Sequence, residues 1–508
     1  MANTWTVGID WTNDGTYTDE ASRVVSIHVR RGRDTRIGYS QADDEAGIGW
    51  AGGYEPVRQG VFYLTLSNHD GRYDPFNTDS ELYGYLLPHR PFKMQVSDGS
   101  KTWSVITGWV HDTRPQGGKG DYARIYGVDG IDWLENQRCP NLTIQTDYAV
   151  SDAIFALLDE TGWPFVDDAG WIFTGTLGTD PLGGALFDDN GDTIPYWWSD
   201  HNQSVWGAIQ EISNAWAGNA YVSADGTFGY EARQYGGTAK LLISQGVLLK
   251  DMELTQPVDE IRNSIRIYAQ PRTYSLSLVE LWRLSDIPYL AAGESMTIWA
   301  EYQQDLIPTP AYTVASPVST TDYTANALES GLGADLTADM DVTFTNYTTE
   351  GSWLIENTGG TGFYITLAKL RGMPLVSQGR TSARATDATS ITNYGQASFS
   401  VDSRWMQEIA EAEYHAQYAK IMMASPSKSV FVKVEERPDY QFEMDLFDIA
   451  ELDIPAKGIS GLYYLTFIEH YWKAGEGCVT TWRYEPTPGE RADFWLFTGT
   501  LGSDQLGW

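Results

Sequence analysis

With 508 residues and 42% apolar content, the chain is too long for one hydrophobic core and is expected to divide into several domains. Its 68 acidic against 34 basic side chains, a formal charge of −34, exclude stable binding to a phosphate backbone unless a concentrated basic patch exists. Arg30, Arg31 and Arg33 are the one short basic cluster, and we read it as a solvated strand end.

In chain order, the region to residue 137 reads as strands throughout: 5–9, 24–30, 61–66, 92–96, 103–110 and 122–128. In the 61–66 strand, Phe62, Leu64 and Leu66 alternate with polar positions, so a one-residue slip would expose the whole buried set. Asp98 and Gly99 are expected to turn the 92–96 strand into the next through a two-residue hairpin. The period then changes to helical at 147–162, where Val150, Ala153, Ile154, Leu157 and Leu158 share a face and Gly162 is the stop. A second helix spans 204–217 with Ser204 as cap, followed by a hairpin on Asp225 and Gly226. Strand returns from 254 to 281, with Ile261, Ile265, Ile267 and Tyr268 as core candidates. A Thr-, Asn- and Gly-rich stretch with strand-like runs separated by turns follows at 295–376, then a long helix at 403–423 and strands at 430–434, 447–452, 463–470 and 479–484.

The expected fold is therefore mainly β with α+β parts, built from small antiparallel barrels or sandwiches plus helix-hairpin units. The boundaries we assign are 1–137 for an N-terminal β-barrel, 138–294 for an α+β domain, 295–377 for an inserted β-sandwich, 378–490 for a C-terminal α+β or barrel domain, and 491–508 for a terminal docking motif. That last motif repeats an internal one. WIFTGTLGTDPLGG at 171–184 recurs as WLFTGTLGSDQLGW at 495–508. Each copy is too short to hold a core, so each is expected to lie against something larger, with Trp171, Phe173, Leu177 and Leu182, and likewise Trp495, Phe497, Leu501 and Leu506, as interface residues.

Few residues point to chemistry. Asp10, Thr12, Asp14 and Thr16 place oxygens at alternate positions with Gly15 at the sixth, like the first half of a calcium loop, although the closing bidentate acid is not at its usual place. A plain Asx turn accounts for the same residues. No other cofactor is expected. There is no HExxH, no P-loop, no GxSxG and no dinucleotide fingerprint, so no enzyme constellation emerges. Cys139 and Cys478 lie far apart and read as inert thiols. No run of about 18 apolar residues and no basic start with an apolar core is seen, so we expect neither a spanning helix nor a secretory signal, but a soluble protein made in the cytoplasm.

DWTNDGTYTDE with VVSIHVRRGR, AGGYEPVRQGVFYLTLSNHDGRYDP, YGYLLPHRP, TGWV with GVDGIDWLEN, SVWGAIQEISNAWAGNAYVSADGTFGYEAR, and FDIAELDIPAKGISGLYYLTFIEHYWKAGEGCVTTW stand out as blocks. They resemble the baseplate hub, or tail-associated, family of long-tailed viruses of bacteria and archaea. SITNYGQASFSVDSRWMQEIAEAEYHAQYA and the terminal FTGTLGSDQLGW are similar to the closing parts of such proteins. The resemblance implies a structural virion protein at the tail tip: a homotrimeric hub that closes the tube, then forms the channel for the tape-measure protein and DNA ejection. Implied partners are two further copies, the distal tail protein ring, the tape-measure protein and tail fibre or spike proteins, with DNA passing unbound and no stable membrane insertion. Alternatives from other classes are a receptor- or carbohydrate-binding tail-tip protein using the 295–376 stretch, a distal tail ring protein, and a tail-associated hydrolase. The acidity fits a DNA-conducting lumen or adaptation to high salt.

Overall fold

The computed structural model describes residues 4–33, 57–116, 121–163, 191–233, 237–244, 249–255, 260–304, 307–426 and 429–487. The chain is mainly β, with several separate, largely antiparallel sheets and few helices. Its largest sheet has 13 strands. Along it run Leu249–Thr255, Ser429–Glu435, Gly477–Pro486, Ile459–Lys473, Val24–Arg33, Val57–Ser67, Tyr122–Val128, Thr102–Gln116, Arg90–Ser97, Thr4–Ile9 and Thr18–Asp19. Ile449–Ile454 pairs with Ile459–Lys473 off this path and carries Leu241–Ser244 as a parallel neighbour.

The central join is between Val24–Arg33 and Ile459–Lys473, in register from Ser26 opposite Lys473 to Gly32 opposite Phe467. It sews the start of the chain to its far end. It also corrects the expectation of a closed N-terminal β-barrel: among the described residues the strands form an open path. The physical reason is that Val24–Arg33 spends one edge on Val57–Ser67 and the other on Ile459–Lys473, leaving no edge on which the N-terminal strands could close. The sheet still curls round a core of Val7, Ile9, Ile27, Val29, Phe62, Leu64, Met94 and Ile125, into which the C-terminal Phe442 and Cys478 also pack. Phe62 stacks on Phe92 at 3.7 Å between ring centroids.

Local expectations met the structure unevenly. Val150–Thr161 is a helix closed by Gly162 at φ 73°, and Val205–Ala215 is one capped by the Ser204 hydroxyl, which accepts from the Gly207 amide at 3.1 Å. The Asn219–Val222 and Phe228–Glu231 strands form the expected hairpin. The two-residue turn expected at Asp98 and Gly99 is shifted by one to Gly99 and Ser100, because Ser97 pairs with Thr102 and the Asp98 amide bonds the Lys101 carbonyl. Gly130–Asn136, read as part of an all-strand region, is a helix started by the Asp129 carboxylate on the Ile131 amide. The long helix begins only at Ile409, since Trp405 and Met406 are buried in irregular chain before it.

Two smaller units complete the chain. Ser264–Ala269, Thr381–Thr386 and Ser398–Asp402 make a three-stranded sheet packed by one face on the Ile409–Met423 helix. Between them, five strands gather on the long Phe363–Ser377 strand, and Ser295–Glu301, Glu350–Asn357 and Met340–Asn346 form a second sheet over a core centred on Trp353 and Ile355. This core already includes Leu281 and Leu290. No helix among the described residues is long and apolar enough to cross a membrane.

Candidate functional site

The loop with alternating oxygens folds as a turn around one carboxylate. Asp10 is buried, and its oxygens accept from the Gly15 amide at 2.8 Å, the Asp14 amide at 3.3 Å and the Thr12 hydroxyl at 3.4 Å. Asp14 in turn accepts from the Thr16 amide at 2.9 Å, and this bond holds its carboxyl below the usual carboxylate range. Asp10, Thr12, Asp14 and Thr16 are thus brought together, but with Asp10 facing amides. A cation there would compete with those N–H groups for the carboxylate. Among the described residues no cluster of three or more His, Cys, Asp or Glu has the arrangement of a metal site.

Glu20, close in sequence to that loop, is used elsewhere. It is buried and accepts from the Trp11 indole at 2.9 Å, the Arg72 guanidinium at 3.0 Å and the Tyr73 hydroxyl at 2.6 Å. Burial, reinforced by the Glu20 charge, pushes the Tyr73 phenol well up. Arg72 also meets Glu81, and Arg23 forms a two-pronged pair with Asp70 at 2.7 and 3.0 Å, which lowers the Asp70 carboxyl. The DGRYDP run at 70–75 is therefore part of a structural knot: the Glu20 carboxylate inside the fold is satisfied by three donors, two of them from this run, and Asp70 ties the same loop to Arg23.

A second knot lies where the two ends of the chain meet. Arg31 and Arg33, expected as a solvated strand end, are each 4% exposed, and that expectation is overturned. The Arg31 guanidinium pairs with Asp445 and donates to the carbonyls of Val105 and Val222 at 3.4 Å. Arg33 donates to Glu485 at 2.9 Å and to Asn219, and packs over the Phe447 ring at 5.4 Å. Glu485 is shared: its other oxygen faces Arg483 and the Thr466 hydroxyl, both at 3.3 Å. Arg483 continues to Glu260 at 3.4 Å. These contacts join the N-terminal sheet, the helix-hairpin unit and the C-terminal strands. The signal was present in the sequence, because period 2 puts Ile27, Val29, Arg31 and Arg33 on one face, the buried one.

Backbone geometry makes room for this seam. Gly32 sits at φ 105° between the two arginines at a bulge, and a Cβ there would come within 2.3 Å of the Thr466 carbonyl. Beside it, Asp129 accepts from the Gly60 amide at 2.7 Å and the Ile131 amide at 3.0 Å while burial pushes its carboxyl up to about 7. Two buried histidines lie further out. Burial lowers His470 to about 3, where it bonds the Thr480 hydroxyl at 2.9 Å, and drives His415 well down beside Arg233. Burial raises both Cys139 and Cys478 to about 12, so neither thiol is a nucleophile at neutral pH.

What these groups do chemically is hold elements together, by satisfied charges in places water does not reach. The repeat residues Trp171, Phe173, Leu177, Leu182, Trp495, Phe497, Leu501 and Leu506 lie outside the described residues.

The fold and its seams thus define a mainly β, multidomain protein whose two ends share one sheet. No family model and no curated protein matches the sequence. Among solved structures, the chain is similar to a 43 kDa prophage tail protein from Shewanella oneidensis, with 9% identity, a TM-score of 0.49, and 95% of this chain and 98% of that one covered. It is also similar to a tail protein from Neisseria meningitidis, with 10% identity, a TM-score of 0.47, and coverage of 96% and 97%. A prophage tail protein from Listeria monocytogenes has 8% identity, a TM-score of 0.41, and coverage of 94% of each chain.

Proposed function

We propose that this chain is a structural virion protein, the baseplate hub at the distal end of a viral tail. In this reading three copies close the tube and later form the channel for the tape-measure protein and DNA. One observation carries it. The sequence blocks that resemble hub proteins lie more than 300 residues apart, at 10–33 and 57–136 and again at 447–482, and they meet in one sheet through the pairing of Val24–Arg33 with Ile459–Lys473. A structural role also suits what the polar residues do, since Glu20, Arg72, Arg31, Arg33 and Glu485 are spent on holding elements in place. A rigid ring must resist deformation while its cargo passes, and buried, paired charges supply that rigidity.

The duplicated WxFTGTLGxDxLG segment is, in this reading, a docking peptide with two equivalent receiving surfaces, as a trimer facing a sixfold tube would need. Deleting residues 491–508 tests it: the deletion should weaken the trimer or its attachment to the tail, and an assembly indistinguishable from the intact one refutes the docking role. A symmetry-resolved image of the tail tip tests the hub itself. It should show three copies at the end of the tube, with carboxylates outnumbering basic residues on the inner wall. A wall dominated by arginine, or a chain placed outside the tube axis, refutes the reading.

A further inference from the structure

The three-stranded sheet of Ser264–Ala269, Thr381–Thr386 and Ser398–Asp402 buries Ile265, Ile267, Ala383, Ala385, Phe399 and Val401 against the Ile409–Met423 helix. Its opposite face carries a cleft of about 470 Å³. Strand register lays the side chains of this face in rows. The middle row is Ser400, Arg266, Arg384; beside it lies Ser398, Ser264, Thr386. Gln396 reaches over to the Ser264 hydroxyl at 3.3 Å.

Two features together distinguish this cleft from the other opposed arginines, Arg114 and Arg124, where Asp112 pairs with Arg114. Arg266 and Arg384 stand directly opposite each other on antiparallel strands, an unfavourable like-charge pairing. Neither is neutralised among the described residues: Arg266 donates to the Tyr268 hydroxyl at 3.1 Å, and Arg384 has no hydrogen bond or ion pair there. Many other arginines of this acidic chain have carboxylates, as Arg31, Arg33, Arg72 and Arg233 do, whereas Arg266 is half-buried and Arg384 exposed on the open face. Even the neighbouring Arg380, stacked on the Tyr268 ring at 4.0 Å, is paired with Asp402. The unneutralised charge is felt by Tyr268, whose phenol is lowered, chiefly by the Arg266 hydrogen bond.

We propose that this cleft binds an acidic saccharide, with Arg266 and Arg384 taking the carboxylate or phosphate and Ser264, Ser398, Thr386 and Gln396 meeting the hydroxyls. Paired guanidiniums match the geometry of such oxyanions. The other polar side chains of the lining are the hydroxyls of Ser264, Ser398, Ser400, Thr386 and Tyr268 and the Gln396 amide, which suit a polyol. An acidic peptide fits less well, because the apolar lining residues Ile265 and Phe399 turn their side chains into the opposite core and leave no apolar subsite. A nucleic acid is disfavoured by the charge of −34. The inference does not depend on the hub reading.

The test uses the intact chain and isothermal titration with four probes: a galacturonate oligomer, a glycerol phosphate oligomer, a neutral maltooligosaccharide and poly-glutamate. We expect one or both acidic polyols to bind and the neutral sugar not to, the responding probe telling carboxylate from phosphate. Arg384→Gln and Arg266→Gln should each weaken binding roughly tenfold or more. Arg384→Gln should leave the melting temperature unchanged or higher, because no partner is lost. The proposal is overturned if neither acidic polyol binds, if poly-glutamate binds as tightly, if both variants bind like the intact protein, or if Arg384→Gln lowers the melting temperature with binding retained.

Discussion

Glu485 is the residue whose loss should loosen the join between the two ends of the chain most. It is 5% exposed, and each of its carboxylate oxygens serves a different guanidinium, Arg33 at 2.9 Å and Arg483 at 3.3 Å. Glu485→Gln keeps the shape but removes the carboxylate that two buried guanidiniums share, leaving Arg483 with Glu260 at 3.4 Å. Breaking a buried pair in this way costs about 3–5 kcal/mol, since the stranded charge is the main penalty. Arg33→Met should cost less, about 2–3 kcal/mol, because Glu485 keeps Arg483 and the Thr466 hydroxyl. Hydrogen exchange of the amides in Ile459–Lys473 and Gly477–Pro486 is the suitable assay, because a multidomain chain does not unfold in one step. At about 1.4 kcal/mol per factor of ten, Glu485→Gln should lower protection there by roughly two to three and a half orders of magnitude. Unchanged protection, or a larger effect from Arg33→Met, would refute the account of Glu485 as the shared anion.

Three further outcomes are expected. His470 is lowered to about 3 from 6.5, so between those values the unfolded chain binds a proton that the folded one refuses, and stability falls as pH drops; Asp129, raised to about 7 from 3.8, acts oppositely and loses stability as pH rises through that window. On going from pH 7 to 4, His470→Gln should therefore lose less stability than the native chain, or gain where the native chain stays level because Asp129 offsets the imidazole, and equal changes in the two would count against the burial of the imidazole. Gly32→Ala should cost about 2–4 kcal/mol in a melt, more than Gly99→Ala, where φ is also positive but nothing lies within 4 Å of the new Cβ. Adding excess calcium should leave the melting temperature unchanged, because Asp10 already accepts two amides; a rise with concentration that Asp14→Ala abolishes would instead establish a calcium loop.

Local pattern carried much of the fold. Period-2 alternation placed Phe62, Leu64 and Leu66 inside, Ser204 announced its helix, and Gly162 ended another, because these depend on neighbours within a few residues. Where a distant partner decides, local reading failed. Asp129 caps a short helix inside a region of strands, and Trp405 and Met406 are pulled into cores before the helix they resemble has begun. Tyr268, expected in the core next to Ile267, is turned by alternation to the open face of its sheet.

The same division holds for the polar residues. Composition determined that the chain is acidic and poor in catalytic motifs, and alternation already put Arg31 and Arg33 on the buried face. Their partners Asp445 and Glu485 lie more than 400 residues away, and no local pattern names a carboxylate at that distance. Whether a buried arginine is a knot or a defect depends on what the fold brings to it, since an unpaired buried charge is prohibitive and a paired one is not. Closure of the N-terminal strands was decided in the same way. Their alternation is that of a barrel or an open sheet alike, and among the described residues it is the pairing of Ile459–Lys473 with the second edge of Val24–Arg33 that takes up the hydrogen bonds closure would have used.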